Sequence, residues 1–156
     1  MRIFLCVIAL VVAPGLVRAG EKQESEITKI TLERTPCFGT CPVYKLTVHR
    51  SGAVEYEGKN HVGQTGSRTG RISTEDFDKL VKKIDAINFF NLNDRYDGKN
   101  PDGSGVTVTD LPTRKTSVRR GNRTKTVENY FRGPTGLAEL EALIDELTKA
   151  AEWVGG

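Results

Sequence analysis

Val43-Tyr44-Lys45-Leu46-Thr47-Val48-His49 and Ala53-Val54-Glu55-Tyr56-Glu57, joined by Arg50-Ser51-Gly52, form the stretch on which the fold turns. Tyr44, Leu46 and Val48 alternate with Lys45, Thr47 and His49. That period of two puts one face of a strand inward and the other in water. A three-residue connection containing serine and glycine has the chemistry of a hairpin turn. Upstream, Thr28, Ile30 and Leu32 alternate with Lys29, Thr31 and Glu33, which predicts a strand over 28–34. Downstream, 113–120 and 125–130 flank Gly121-Asn122 and read as a second hairpin. Val106-Thr107-Val108-Thr109-Asp110 reads as a further strand, and the glycine-rich run 58–70 leaves room for another whose register the pattern does not fix. The Asn, Asp and Gly content of 93–105 predicts a loop.

Two helices complete the pattern. Ser73 is an N-cap residue with Asp76 three positions on, and Ile72 is placed to staple onto Phe77. Phe77, Leu80, Val81, Ile84 and Ile87 then recur at helical spacing, with Lys79, Lys82, Lys83 and Asp85 on the opposite side and an end near Asn88. Leu137, Leu140, Leu143, Ile144, Leu147, Ala151 and Val154 predict a final helix from about 136 to 153. No strand–helix–strand alternation is present, so the fold class is α+β: a mainly antiparallel sheet built from two hairpins, with two helices on one face. Both halves read strand, loop, hairpin, helix, and share Val54-Glu55-Tyr56 and Val127-Glu128-Asn129-Tyr130. Internal duplication is one reading of this likeness; recurrence of a common motif is the other.

The chain of 156 residues, 37% hydrophobic and 28% charged, has the balance of one globular domain, which excludes a disordered polymer and a multi-domain enzyme. Met1 and Arg2 precede an apolar run over 3–13, then Pro14-Gly15 and the small-residue site Val17-Arg18-Ala19. Those are the three regions of a secretory signal peptide over 1–19. Eleven apolar residues span about 17 Å as a helix, against roughly 30 Å of hydrocarbon core, so a permanent anchor is the weaker reading. A flexible segment 20–26 and a single α+β domain over 27–156 would follow, with no transmembrane segment after cleavage. Removal of the leader leaves 21 basic against 20 acidic residues, close to neutral. The expected destination is the periplasm or the exterior, and the sequence does not choose between them.

Cleavage also removes Cys6 and leaves Cys37 and Cys41, an even pair in an oxidising compartment and therefore expected as a disulfide. So short a closed loop adds on the order of 2 kcal/mol, and its main effect is to pin the segment locally. The string Cys37-Phe38-Gly39-Thr40-Cys41-Pro42-Val43-Tyr44 resembles the C-x-G-x-C-P-x-Y signature of a family of small exported bacterial proteins, a domain of unknown function. The resemblance extends to Leu32-Glu33-Arg34-Thr35-Pro36, Ser51-Gly52, Phe89-Phe90, Thr109-Asp110-Leu111-Pro112-Thr113 and the closing helix, most of the exported chain. It implies a full-length member of that family and brings no activity, cofactor or ligand with it.

Other chemistries find little support in the same residues. Thioredoxin-like sites separate their cysteines by two residues at a helix N-terminus; this pair has three, between prolines and before a strand. Cys37, Cys41, His49 and His61 match no compact zinc spacing, so no metal is assigned. Aligning Asn100 and Asp102-Gly103 to a calcium loop puts Gly98 and Thr109 where carboxylates are required. No Gly-x-Ser-x-Gly elbow, His-Glu-x-x-His run or phosphate-binding glycine loop is present, so no catalytic residue is assigned and no cofactor is implied.

The remaining asymmetry is basic. Arg114, Lys115, Arg119, Arg120, Arg123, Lys125 and Arg132 face one acid, Glu128, between 113 and 132. This is a footprint for an anionic surface polymer, or else a solvated face paired with Glu139, Glu141, Asp145 and Glu146 of the last helix. Few aromatics accompany it, which argues against nucleic acid. The preferred reading is a non-catalytic interaction module held by Cys37 and Cys41. Phe38 and Tyr44 shape its contact loop, Arg114, Lys115, Arg119, Arg120 and Arg123 offer a second surface, and the partner is another envelope protein or an anionic polymer. A thiol–disulfide redox protein is the alternative.

Overall fold

A computed structural model describes residues 26–100 and 102–155. The expected signal peptide over 1–19, and all of the 20–26 segment except Glu26, lie outside the described residues. Seven strands form one sheet: β1 (Ile27–Arg34), β2 (Val43–His49), β3 (Ala53–Asn60), β4 (Gly66–Arg71), β5 (Arg95–Asp97), β6 (Arg114–Arg120) and β7 (Arg123–Phe131). The helices are α1 (Thr74–Ala86), α2 (Thr135–Leu147) and the single turn α3 (Ala151–Val154), with a short 3-10 turn at Phe89–Asn91. Across the sheet the order is β4-β3-β2-β1-β6-β7-β5, antiparallel throughout except for β5, which runs parallel to β7. The class is α+β with a mixed, mostly antiparallel sheet.

The alternation read from the sequence sets which side is covered. Ile30 and Leu32 of β1, Leu46 and Val48 of β2, Val54 and Tyr56 of β3, Val118 of β6 and Val127 of β7 are buried. They join Phe77, Leu80 and Ile84 of α1 and Leu137, Leu140 and Ile144 of α2 in one core cluster. Each such side chain contributes roughly 1.5–3 kcal/mol by leaving water, so this layer supplies most of the driving force. The start of α1 is as the capping pattern predicts, with Ser73 Oγ accepting from the Asp76 backbone N–H at 3.0 Å. Val54-Glu55-Tyr56 and Val127-Glu128-Asn129-Tyr130 lie on β3 and β7, the later strand of each hairpin pair.

Three expectations are revised, and one left open is filled. Residues 106–110 form no strand; Val106 is exposed, and the pairing near it is one isolated bridge between Lys99 and Gly105. The outer edge of β7 is taken by β5 instead. β5 falls inside the segment expected to be a loop, because three residues are too few to display a period. Run 58–70 does hold a strand, β4, whose register comes from its pairing with β3 and not from its own nearly all-exposed pattern. The last helix stops at Leu147: Thr148 Oγ1 donates back to the Ile144 carbonyl at 2.7 Å, and Lys149 turns left-handed with φ 54°.

Candidate functional site

The Cys37–Cys41 loop joins β1 to β2 at one end of the sheet, and the two cysteines form a disulfide with Cα atoms 5.8 Å apart. Three hydrogen bonds, two of them between backbone groups, hold it against the 110–113 segment. Thr35 N–H donates to the Thr113 carbonyl at 3.0 Å, Phe38 N–H to the Asp110 carbonyl at 3.3 Å, and Thr113 N–H to Thr35 Oγ1 at 2.9 Å. Gly39 takes φ 148°, a conformation open to glycine and strained for other residues, and its N–H closes a tight turn onto the Cys37 carbonyl at 3.0 Å. The turn points Phe38 outward, and the side chain is 89% exposed, the largest exposure of an apolar side chain among the described residues.

Beneath the loop lies a row of polar side chains. Tyr44, Arg34, Arg114 and Asn129 are consecutive register partners across β2, β1, β6 and β7, and all face the helices. Two arginines side by side repel, so the row needs two acids, and α2 supplies Glu141 and Asp145, one turn apart. Helix positions i and i+4 lie roughly 6 Å apart and neighbouring strands about 4.8 Å, so one helix face meets both arginines. Arg34 Nε donates to the Tyr44 hydroxyl at 2.7 Å, that hydroxyl donates to Asp145 Oδ1 at 2.8 Å, and Arg34 also pairs directly with Asp145. Asn129 Nδ2 donates to both oxygens of Glu141 at 3.1 and 3.0 Å. Arg114 Nε lies 2.8 Å from Glu141 Oε2, an ion pair in which the N–H does not point along the contact.

Burial drives the electrostatics of this row. Glu141 is 1% exposed, and desolvation raises its pKa despite the opposing pull of Arg114 and Asn129. Desolvation raises the Tyr44 phenol as well, reinforced by the Asp145 charge, so it stays protonated. Arg34 is held firmly cationic: Asp145 and Tyr44 outweigh the lowering by burial. Tyr44 is itself buried, so it supports the loop from below, whereas Phe38 is presented to solvent. The row can hold the root of the loop rigid; it contains no nucleophile with an adjacent base.

Of this cluster the sequence reading singled out Tyr44 and Arg114 as sites, offered Glu141 and Asp145 as surface partners, and missed Arg34 and Asn129. A signal was present. Arg34 continues the inward series Ile30, Leu32, and Glu141 sits on the apolar stripe between Leu137 and Ile144.

The basic hairpin is less open than its composition. Lys115 pairs with Glu128 at 2.8 Å, Arg120 with Asp85, Lys125 with Asp94, and Arg114 with Glu141. Arg119 Nε donates to the Gly121 carbonyl at 3.2 Å and Arg123 lies over the Phe90 ring. Lys115, Ser117 and Arg119 do share the outer face of β6, as the alternation requires. His49 lies 3.1 Å from Glu55, and among the described residues no group of three His, Cys, Asp or Glu side chains is placed to hold a metal ion. In the 94–103 loop, Asp97 and Asp102 accept from the backbone N–H groups of Lys99 and Ser104, as tight turns require. No described helix is long and apolar enough to cross a membrane.

Comparison with known proteins bears on the whole of this arrangement. A search of the curated proteins finds no match. A family model does match, over residues 28–148, a span that runs from β1 through the disulfide loop to the end of α2. By that match the chain belongs to DUF6438, a domain of unknown function.

Proposed function

We propose that the chain is a small exported binding module whose contact surface is the Cys37–Cys41 loop, with Phe38 as its anchor and an envelope protein as its partner. The observation that carries this reading is the 89% exposure of Phe38 on a loop tied at Thr35, Phe38 and Thr113. An exposed phenylalanine forgoes a burial worth about 2 kcal/mol, and a partner pocket recovers it. Because the backbone is already fixed, little ordering cost opposes binding, the condition under which one aromatic anchors an interface. The disulfide fits the oxidising compartment that a signal peptide over 1–19 would deliver it to.

A photo-crosslinking phenylalanine analogue at position 38, with the same analogue at exposed Lys82 as control, tests the contact in intact producing cells. The expected result is a discrete adduct from position 38 alone, lost when Cys37 and Cys41 are both replaced by serine. Equal labelling from both positions, or none, overturns the reading. Intact mass of the exported protein tests the compartment: cleavage after Ala19 and a mass two hydrogens below the reduced form are expected. The polymer-binding reading of the 113–132 hairpin has less support, because four of its cations already have acidic partners. The redox reading has less support too, since the pair lies between two strands and not at a helix N-terminus.

A further inference from the structure

Beside the buried polar row, on its β7 side, a cavity of about 300 Å³ opens between the 111–112 segment and the start of α2. Two arginines, Arg114 and Arg132, line it. Arg114 reaches it from β6 with its side chain one-third exposed, while Glu141 beneath is 1% exposed. The arginine is therefore turned toward the opening and its carboxylate lies behind. The contact with Glu141 is at Nε, 2.8 Å from Oε2, and that N–H has no hydrogen-bond acceptor among the described residues. Arg132 follows directly after β7 in a left-handed conformation, φ 58°. Its guanidinium lies over the Phe131 ring and makes no ion pair among the described residues. Leu111, Pro112, Phe131 and Ala138 form apolar walls, and Asn129, Tyr130 and Gly133 complete the lining.

We infer that this cavity is a binding site for a carboxylate carried on a short apolar stem. A guanidinium presents paired N–H donors in a plane that matches two carboxylate oxygens, and its charge does not titrate away. A lone anion would leave the apolar walls wet, and a purely apolar ligand would leave Arg132 and the outer edge of the Arg114 guanidinium without acceptors. Volume limits the ligand further: about 300 Å³ is the lower end of ligand pockets, enough for one amino-acid-sized group. Two sources present that chemistry, a free small organic acid and the carboxyl-terminal residue of a protein chain. The site is separate from Phe38, so it stands or falls independently of the loop's role.

Two-dimensional NMR on the exported chain, with N-acetyl-leucine as probe, tests the site. The amide signals of Leu111 and Gly133 should shift saturably. N-acetyl-leucinamide, which lacks the carboxylate, should bind at least about tenfold more weakly, as the loss of a charge-assisted hydrogen bond requires. Acetate, which lacks the stem, should also bind more weakly. Arg132→Gln should cost about tenfold in affinity, and Ala138→Leu, which fills the cavity without touching an ion pair, should abolish the shifts while leaving the melting temperature unchanged. A hexapeptide ending in leucine with a free carboxylate separates the sources: tighter binding than N-acetyl-leucine assigns a protein chain end, and equal binding assigns a small acid. No saturable shift with any carboxylate, or equal binding of the amide, overturns the inference.

Discussion

The two faces of the sheet carry polar rows of similar composition under opposite conditions. On the covered face, Tyr44, Arg34, Arg114 and Asn129 cross four strands beneath Glu141 and Asp145 of α2. On the open face, Glu57, Lys45, Glu33, Lys115, Glu128 and Arg95 cross six strands, with signs alternating at every step. The open row needs no helix to balance it, because each strand supplies the counter-charge of its neighbour. The covered row places two arginines side by side and depends on a separate element for its acids. Charge pairs in water are worth little, whereas a buried group that loses its partner costs its full desolvation. The covered row therefore fixes where α2 sits, and the open row does not determine the fold.

The sharpest way to break this contrast is Glu141→Ala. It removes the carboxylate between Arg114 and Asn129 and leaves both without it as a partner. Stability should fall by about 3 kcal/mol, the low end for a broken buried pair because Arg114 keeps some solvent. Denaturant titration measures it, and a loss below 1 kcal/mol would mean that the row does not anchor α2. Tyr44→Phe is milder. The ring keeps its place against Tyr56, at 5.9 Å between centroids, while the hydroxyl that bridges Arg34 and Asp145 is lost. About 1–2 kcal/mol is expected, since those two groups still pair directly. On the open face, Lys115→Ala removes the 2.8 Å contact with Glu128 and should change stability by no more than about 0.5 kcal/mol. A larger loss there would show that the open row also carries load.

How far the sequence discloses this contrast depends on the residue. Alternation in β1, β2 and β3 and the Ser73 cap reveal the sheet and α1, because each signal is local and repeated. β5 is hidden: three residues have no period, and its pairing with β7 is set by the chain around it. Val106 to Asp110 misleads for the complementary reason, a good strand pattern whose place beside β7 is taken by β5. Within the covered row, Arg34 and Glu141 occupy inward positions in plain view, yet a charged residue on an apolar face reads as an exception until its partner is known. That partner lies 111 residues away for Arg34 and Asp145, a distance no local pattern spans. Phe38 is different: the cysteines and Gly39 mark its loop as closed from the sequence alone, while its outward placement shows only in the structure.

Titration separates the two faces by sign. Glu141 has a pKa raised above the ordinary glutamate range, first by burial. Its folded state favours the proton, so its contribution to stability is greatest below the unfolded pKa and declines as pH rises through the raised folded value. Glu128 has a pKa lowered, first by its hydrogen bond from Lys115, with Arg95 adding to the effect. Its contribution is present above the unfolded pKa and is lost as pH falls through the lowered folded value. Carboxyl carbon shifts followed by NMR from pH 7 to pH 3 should show Glu141 taking its proton before Glu128. Replacing Lys115 by alanine should bring Glu128 back toward the ordinary value and leave Glu141 where it is. If Glu141 instead titrated with or below Glu128, the pull of Arg114 and Asn129 would outweigh burial, and the covered row would be electrostatically as solvated as the open one.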